Sequence, residues 1–274
     1  MFAFLVVVSS ASAAGPWFQG FETDTSGWLD SDDSWYGIVT RVSSGTSGIV
    51  SSEGNWHAIM EGDGSSGPFS RFDFYRNIWP GTWTAEVDVY LDPLWDNGTG
   101  FDYSVAANGS DNSHQRDYIF HVAKDTSTGD LLVGGSNNTN FATREDLENI
   151  NHYVVPFAGW YTLQHVFRDQ GGALAVDLNL LDSNNSVVFT EARYNAADTI
   201  PAEVGGNRYS WFTFINVNGG IAVDNHELIL TVGPPTNKNE CKNGGWETFN
   251  NPSFKNQGAC VSYVQSNESA GKRN

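Results

Sequence analysis

Positive charge is scarce in this chain: 14 Lys and Arg stand against 32 Asp and Glu, a formal net charge of −18. Nucleic acid and anionic membrane surfaces are recognised by clustered Lys and Arg, so neither is expected as a partner. The balance favours solubility, divalent cations or neutral ligands. Cysteine is almost absent, with two in 274 residues. No apolar run approaches the roughly 18 residues of a membrane span, so no transmembrane segment is expected. Also missing are a Gly-x-Ser-x-Gly elbow, a phosphate loop, a dinucleotide fingerprint and a His-Glu-x-x-His site. No repeat at a fixed period occurs, which argues against solenoids and propellers.

Aromatic residues make up 14% of the chain, with 10 Trp, enough for a sizeable core. From Trp17 to Val232 the pattern is short strands and turns with almost no helical periodicity. Strands are predicted at 56–61, 69–75, 83–91, 101–107, 118–124, 161–168, 173–181, 187–194, 211–217 and 221–232. Gly, Asn and Asp clusters separate them. Ten or more such strands predict an all-β fold, a two-sheet antiparallel jelly-roll sandwich over 17–232. Only 143–151 looks helical, with Thr143 as its N-cap.

The flanks differ from this body. Residues 1–14 read as a partial signal peptide: an apolar run from Phe2 to Val8, then Ala11-Ser12-Ala13 in an A-x-A cleavage pattern. The protein is therefore expected to be secreted. Residues 233–239, with Pro234-Pro235, read as a linker. The tail, 240–274, carries both cysteines, and in an exported chain Cys241 and Cys260 read as a disulfide. Closing that loop stabilises a small module by about 3 kcal/mol. Trp246, Phe249, Phe254 and Tyr263 are its expected core.

Two carboxylates stand out because each is read as lying in an apolar strand, Glu22 near the start and Asp224 near the end. An unpaired buried carboxylate is costly. Both are expected to be metal ligands, bridging the first and last strands through a structural calcium, which takes 6–8 oxygens. The plainer alternative is that they cap turns or accept backbone hydrogen bonds. The oxygen-rich loops 30–33 and 110–114 lack the EF-hand spacing and read as solvated.

The segments GFETDTSGW (20–28), WTAEVDVYLDP (83–93) and GGIAVDNHEL (219–228) resemble those of concanavalin-like and galactose-binding-like jelly rolls, found in extracellular carbohydrate-binding modules and sugar-active enzymes. That resemblance implies a structural calcium held by Glu22 and Asp224. The tail, from Cys241 to Asn267, resembles a short C-terminal module of secreted bacterial proteins, with no chemistry attached to it.

Candidate chemistry is sparse. Glu86 and Asp88 share one face of a strand, the equipment of a glycosidase. Laminarinase-like glucanases use an E-x-D-x-E strand, and here Tyr90 stands where the second Glu belongs, so that scheme fails. The plainer reading is a solvated sheet face. A lyase would instead use His121 or His165 as acid or base on a polar strand face, with Arg71, Arg76, Arg168 and Tyr161 around a uronate. Alternation alone scatters His in this way. Exposed aromatics stack on sugar faces, and Trp35, Tyr36 and Trp95, flanked by loop residues, are the ligand-binding candidates. Trp83, Trp160 and Trp211 begin strands and read as core.

The expected function is a secreted, mainly non-catalytic sandwich that binds an extracellular glycan or cell-surface polymer. The alternatives are a jelly-roll polysaccharide lyase or glycoside hydrolase, and a structural surface or matrix protein.

Overall fold

The computed structural model describes residues 17–72, 83–111, 113–138, 144–200, 209–230, 234–235, 237–242, 244–249 and 254–270. The signal segment 1–14, Arg76 and Thr143 lie outside the described residues. Fifteen strands are described. They are β1 (Trp17–Gln19), β2 (Trp28–Leu29), β3 (Ile38–Ser43), β4 (Trp56–Glu61), β5 (Phe69–Ser70), β6 (Trp83–Leu91), β7 (Gly100–Asn108) and β8 (His114–Lys124). Then follow β9 (Leu131–Asn137), β10 (His152–Val154), β11 (Gly159–Gln170), β12 (Ala173–Leu181), β13 (Val187–Thr199), β14 (Ser210–Thr213) and β15 (Ile221–Leu230).

They form the expected two-sheet jelly-roll sandwich. One sheet has the order β13-β12-β11-β6-β15-β4-β3, with β1 also on β15; the other runs β10-β9-β8-β7-β14-β5-β2. All described pairings are antiparallel, and alternation along each strand sends every second side chain into the core. Thus Ala85, Val87, Val89 and Leu91 of β6 meet Phe101, Tyr103 and Val105 of β7 across the interior. Trp83 stacks on Phe167 with ring centroids 3.6 Å apart.

Three features differ from the sequence reading. The strands β1, β2, β3, β9 and β10 were not predicted, β9 because Gly134 and Gly135 break the β-propensity of LLVGGSN. A Cβ on Gly134 would meet Leu147 Cδ2 at 2.9 Å, so a larger residue there would displace that side chain. The expected helix at 143–151 is a short 3-10 turn, Arg144–Asn149, whose Leu147 packs on Ala123 and Leu132. The tail contains an α-helix, α1 (Gln257–Ala270), where only an aromatic cluster was foreseen. Cys241 and Cys260 are disulfide-bonded, and together with Phe249 and Val264 they form a cluster separate from the sandwich core.

Candidate functional site

The expected cation pair has a different arrangement. β1 ends at Gln19, so Glu22 lies in the following bend, exposed, rather than in a strand. Asp224 is fully buried in β15. Both carboxylates reach the same loop, the one joining β3 to β4. Glu22 Oε1 accepts the backbone N–H groups of Asn55 (2.8 Å) and Trp56 (3.0 Å). Asp224 Oδ2 accepts those of Ser52 (3.0 Å) and Glu53 (3.3 Å). Gly54 is needed between them, since its φ is +62° and a Cβ would meet Glu22 Oε1 at 2.3 Å. Glu22 Oε1 and Asp224 Oδ2 thus anchor this loop through its backbone N–H groups. Among the described residues no group of three or more His, Cys, Asp and Glu is arranged to hold a metal ion. In loop 30–33, Asp30 accepts from Asp32 N and Val39 N at 2.9 and 2.8 Å; in loop 110–114, Asp111 accepts from Ser113 N at 3.0 Å.

The two histidines have parted company. His121 points out of the sandwich from β8, as its alternation requires, yet it is 0% exposed. Its Nδ1 lies 2.9 Å from Asp102 Oδ1 and its Nε2 2.7 Å from Ser136 Oγ, a relay across β7, β8 and β9. His165 faces inward rather than onto a polar face, among Tyr103, Phe120 and Phe167. Burial holds it neutral, with its pKa lowered to about 3. Neither is therefore open to a substrate. Arg168 is engaged by Asp177, with Nε and Nη2 donating at 2.7 and 2.8 Å.

The aromatic candidates divide as well. Trp95 is half-buried and packs edge-on against Phe101. Trp35 belongs to a packed aromatic strip with Tyr36, Phe69 and Trp211. Tyr36, at 49% exposed, is the most open of the three.

An open cavity lies elsewhere, at the end of the sandwich where β11 begins and β12 ends. It holds about 300 Å³, within the range of small-molecule sites. Its lining joins the aromatic side chains of Tyr153, Phe157, Trp160 and Tyr161 with Asp182, Ser183 and Asn184 of the β12–β13 turn. Phe157 is 76% exposed. Tyr161 Oη donates to Phe157 O at 3.2 Å, tying the loop that presents this ring. Asp182 Oδ1 accepts the backbone N–H groups of Asn184 (2.9 Å) and Ser186 (3.0 Å), which hold its pKa below the usual carboxylate value. The sequence reading assigned Trp160 to the core and overlooked Phe157, since V-P-F-A-G reads only as a loop.

Beside this cavity, the outer face of the eight-stranded sheet is polar. Trp160 meets Tyr90 edge-on, and its Nε1 donates to Val50 O at 2.8 Å. Glu86 and Asp88 lie on this half-buried face, as alternation demanded. Asp88 accepts from Thr162 Oγ1, Ser52 Oγ and Asn225 Nδ2 at 2.6, 2.6 and 3.0 Å. The carboxylate missing from β6 is supplied by the next strand. A bulge in β15 between Asp224 and Glu227, with Asn225 at φ +43°, sets Glu227 directly opposite Glu86. The two side chains share this face, and each carboxyl is raised by burial. Burial, then repulsion from Glu86 and Asp88, pushes Glu227 up to about 7. Burial likewise raises Asp224 to about 7.

No protein-family model matches this chain, and no curated protein does. Solved carbohydrate-binding and lectin sandwiches are similar to it in fold. The CBM2 module of the evolved Dit of Lactobacillus casei BL23 phage J-1 is 12% identical, with a TM-score of 0.45 over 81% of this chain and 99% of that one. The Ca2+-bound VIP36 exoplasmic/lumenal domain is 10% identical at 0.42, over 80% and 90%. A Lotus tetragonolobus seed lectin is 11% identical at 0.41, over 80% and 100%. These are likenesses of the whole sandwich and bear on no individual residue.

Proposed function

We propose that this protein is a glycan-binding β-sandwich that takes a neutral saccharide in the cavity between Phe157 and Asp182. The observation that carries this reading is the pairing of an exposed aromatic ring with a fixed carboxylate and amide across one small cavity. A pyranose has an apolar face that stacks on an aromatic ring and hydroxyl edges that bond planar polar groups. The backbone N–H groups of the turn use Asp182 Oδ1, and Oδ2 accepts only a long bond of 3.5 Å from Asn184 Nδ2, which a hydroxyl can replace. The net charge of −18 disfavours a polyanionic sugar.

Binding, rather than hydrolysis, is favoured by the carboxyl pair. A retaining glycosidase holds its carboxyls about 5–5.5 Å apart. Here the candidate carboxyls are engaged by their neighbours instead, Glu86 by Gln164 and Asp88 by Thr162, Ser52 and Asn225. Export from the cell belongs to the same proposal and rests on residues 1–14 and the Cys241–Cys260 disulfide. The partner would then be an extracellular glycan or cell-surface polymer. Calcium has no step in this reading, because Glu22 and Asp224 are taken by backbone donors.

A glycan array probed with the full chain and with Phe157→Ala, each with and without EDTA, tests this. At least one neutral glycan should be retained, with about tenfold weaker binding by the variant and no effect of EDTA. Retention of no glycan, or equal binding by Phe157→Ala, sinks the proposal.

A further inference from the structure

Five polar side chains lie in one row straight across the outer face of the eight-stranded sheet. Glu227 of β15 is opposite Glu86 of β6, and Glu86 is opposite Gln164 of β11. Gln164 is in turn opposite Asn179 of β12, and Asn179 opposite Thr190 of β13. Hydrogen bonds link the last four of them in turn. Gln164 Nε2 donates to Glu86 Oε1 at 2.6 Å, Asn179 Nδ2 to Gln164 Oε1 at 2.7 Å, and Thr190 Oγ1 to Asn179 Oδ1 at 2.8 Å.

We infer that this row is a binding track for an extended glycan chain running across the strands, distinct from the end cavity. The spacing is the first reason. Adjacent strands stand about 4.8 Å apart, so the row presents a planar polar group at each step over roughly 19 Å. One step is close to the length of one pyranose ring, so an extended chain meets a fresh carboxyl, amide or hydroxyl at each sugar. Pre-organisation is the second reason. The three bonds orient Glu86, Gln164, Asn179 and Thr190 before a ligand arrives, which lowers the entropy lost on binding. Accessibility is the third, because Glu86, Gln164, Asn179 and Glu227 are half-buried and Thr190 is exposed. The row lacks a basic residue, so it suits uncharged hydroxyls rather than carboxylated or sulfated sugars. The inference takes its ligand class from the glycan reading above, but its residues share none with the cavity.

Calorimetric titration of the full chain with cello-oligosaccharides and manno-oligosaccharides of increasing length tests the track. Affinity should climb by about tenfold or more from a single sugar to chains that span five strands. Gln164→Ala and Asn179→Ala should each remove most of that gain while keeping the melting curve and the single-sugar affinity. Phe157→Ala should do the reverse, weakening the single sugar and preserving the gain with length. A length gain that persists in both ladder variants overturns the track. Single-sugar binding with no gain for longer chains also overturns it and leaves the cavity reading standing. Failure of every sugar to bind defeats both.

Discussion

Glu86 and Glu227 face each other across β6 and β15, and burial raises both carboxyls, Glu227 to about 7, so that it holds a proton into the neutral range. Like charges close together cannot both ionise cheaply. Asp88 on the same face and Glu53 nearby add to the repulsion on Glu227. No described ion pair supplies a cation to this pair. The bulge in β15 is what creates this pairing, since a regular strand would turn Glu227 inward.

The first prediction follows from that proton. A carboxyl raised to about 7 in the folded protein keeps a proton that the unfolded chain loses at its ordinary value near 4. Folding is therefore favoured below that lower value, and the contribution drains away as pH rises towards 7. Stability should fall between about pH 4 and pH 7, with Asp224 adding to the fall because burial raises it to about 7 as well. Glu227→Gln cannot ionise, so it should lessen the fall and raise the melting temperature at pH 7 by a few degrees. Melting curves of both proteins across that range decide it, and parallel curves would show that Glu227 holds no proton there.

A second prediction concerns the loop between β3 and β4, gripped by Glu22 from one side and Asp224 from the other. Backbone amides occupy the carboxylates, so calcium should raise the melting temperature no more than magnesium does, and EDTA should not lower it. Glu22→Ala removes two charge-assisted hydrogen bonds and should lower the melting temperature by a few degrees. A large rise with calcium alone would place a cation here after all.

Alternation made the sheets legible. β4, β6 and β12 begin and end where the sequence reading put them, because their apolar and polar residues alternate without a glycine or a bulge. Outward placement of Glu86, Asp88 and Gln164 follows from the same period. Burial was not legible in it: His121 sits on the outward side and is still closed over, since alternation says nothing about what lies on a face. The cavity and the polar row were missed for a related reason. Each is assembled from residues remote in sequence, and only the pairing of strands places Glu227 beside Glu86 or Thr190 beside Asn179. The tail's helix was masked by its composition, because QGACVSYVQSNESA lacks an apolar stripe at helical spacing.

Reduction of the disulfide gives a third prediction. The tail's core is a handful of side chains around Cys241 and Cys260, too small to hold without its staple. Loss of the cross-link removes about 3 kcal/mol from a 19-residue loop. Dithiothreitol should abolish the helical signal of α1 and leave the sandwich transition where it was, as read by circular dichroism against tryptophan fluorescence. A matching drop in both transitions would mean that the tail and the sandwich unfold as one.

The buried histidines allow a paired test, the fourth prediction. His121 donates from Nδ1 to Asp102 and accepts at Nε2 from Ser136, so both ring nitrogens are used. His165 uses one, Nε2 donating to Tyr118 O at 3.1 Å, while its Nδ1 is buried without a partner. Replacing the first deprives a buried carboxylate and a buried hydroxyl of a bond each, and His121→Phe should cost about 3 kcal/mol. Replacing the second exchanges one hydrogen bond for relief of an unsatisfied nitrogen among aromatic rings. His165→Phe should then lie within about 1 kcal/mol of the parent. Urea denaturation of the two variants measures the difference directly. Equal losses would show that the relay around His121 adds nothing beyond packing, whereas the expected gap assigns His121 to the scaffold and leaves glycan affinity unchanged in a folded His121→Gln protein.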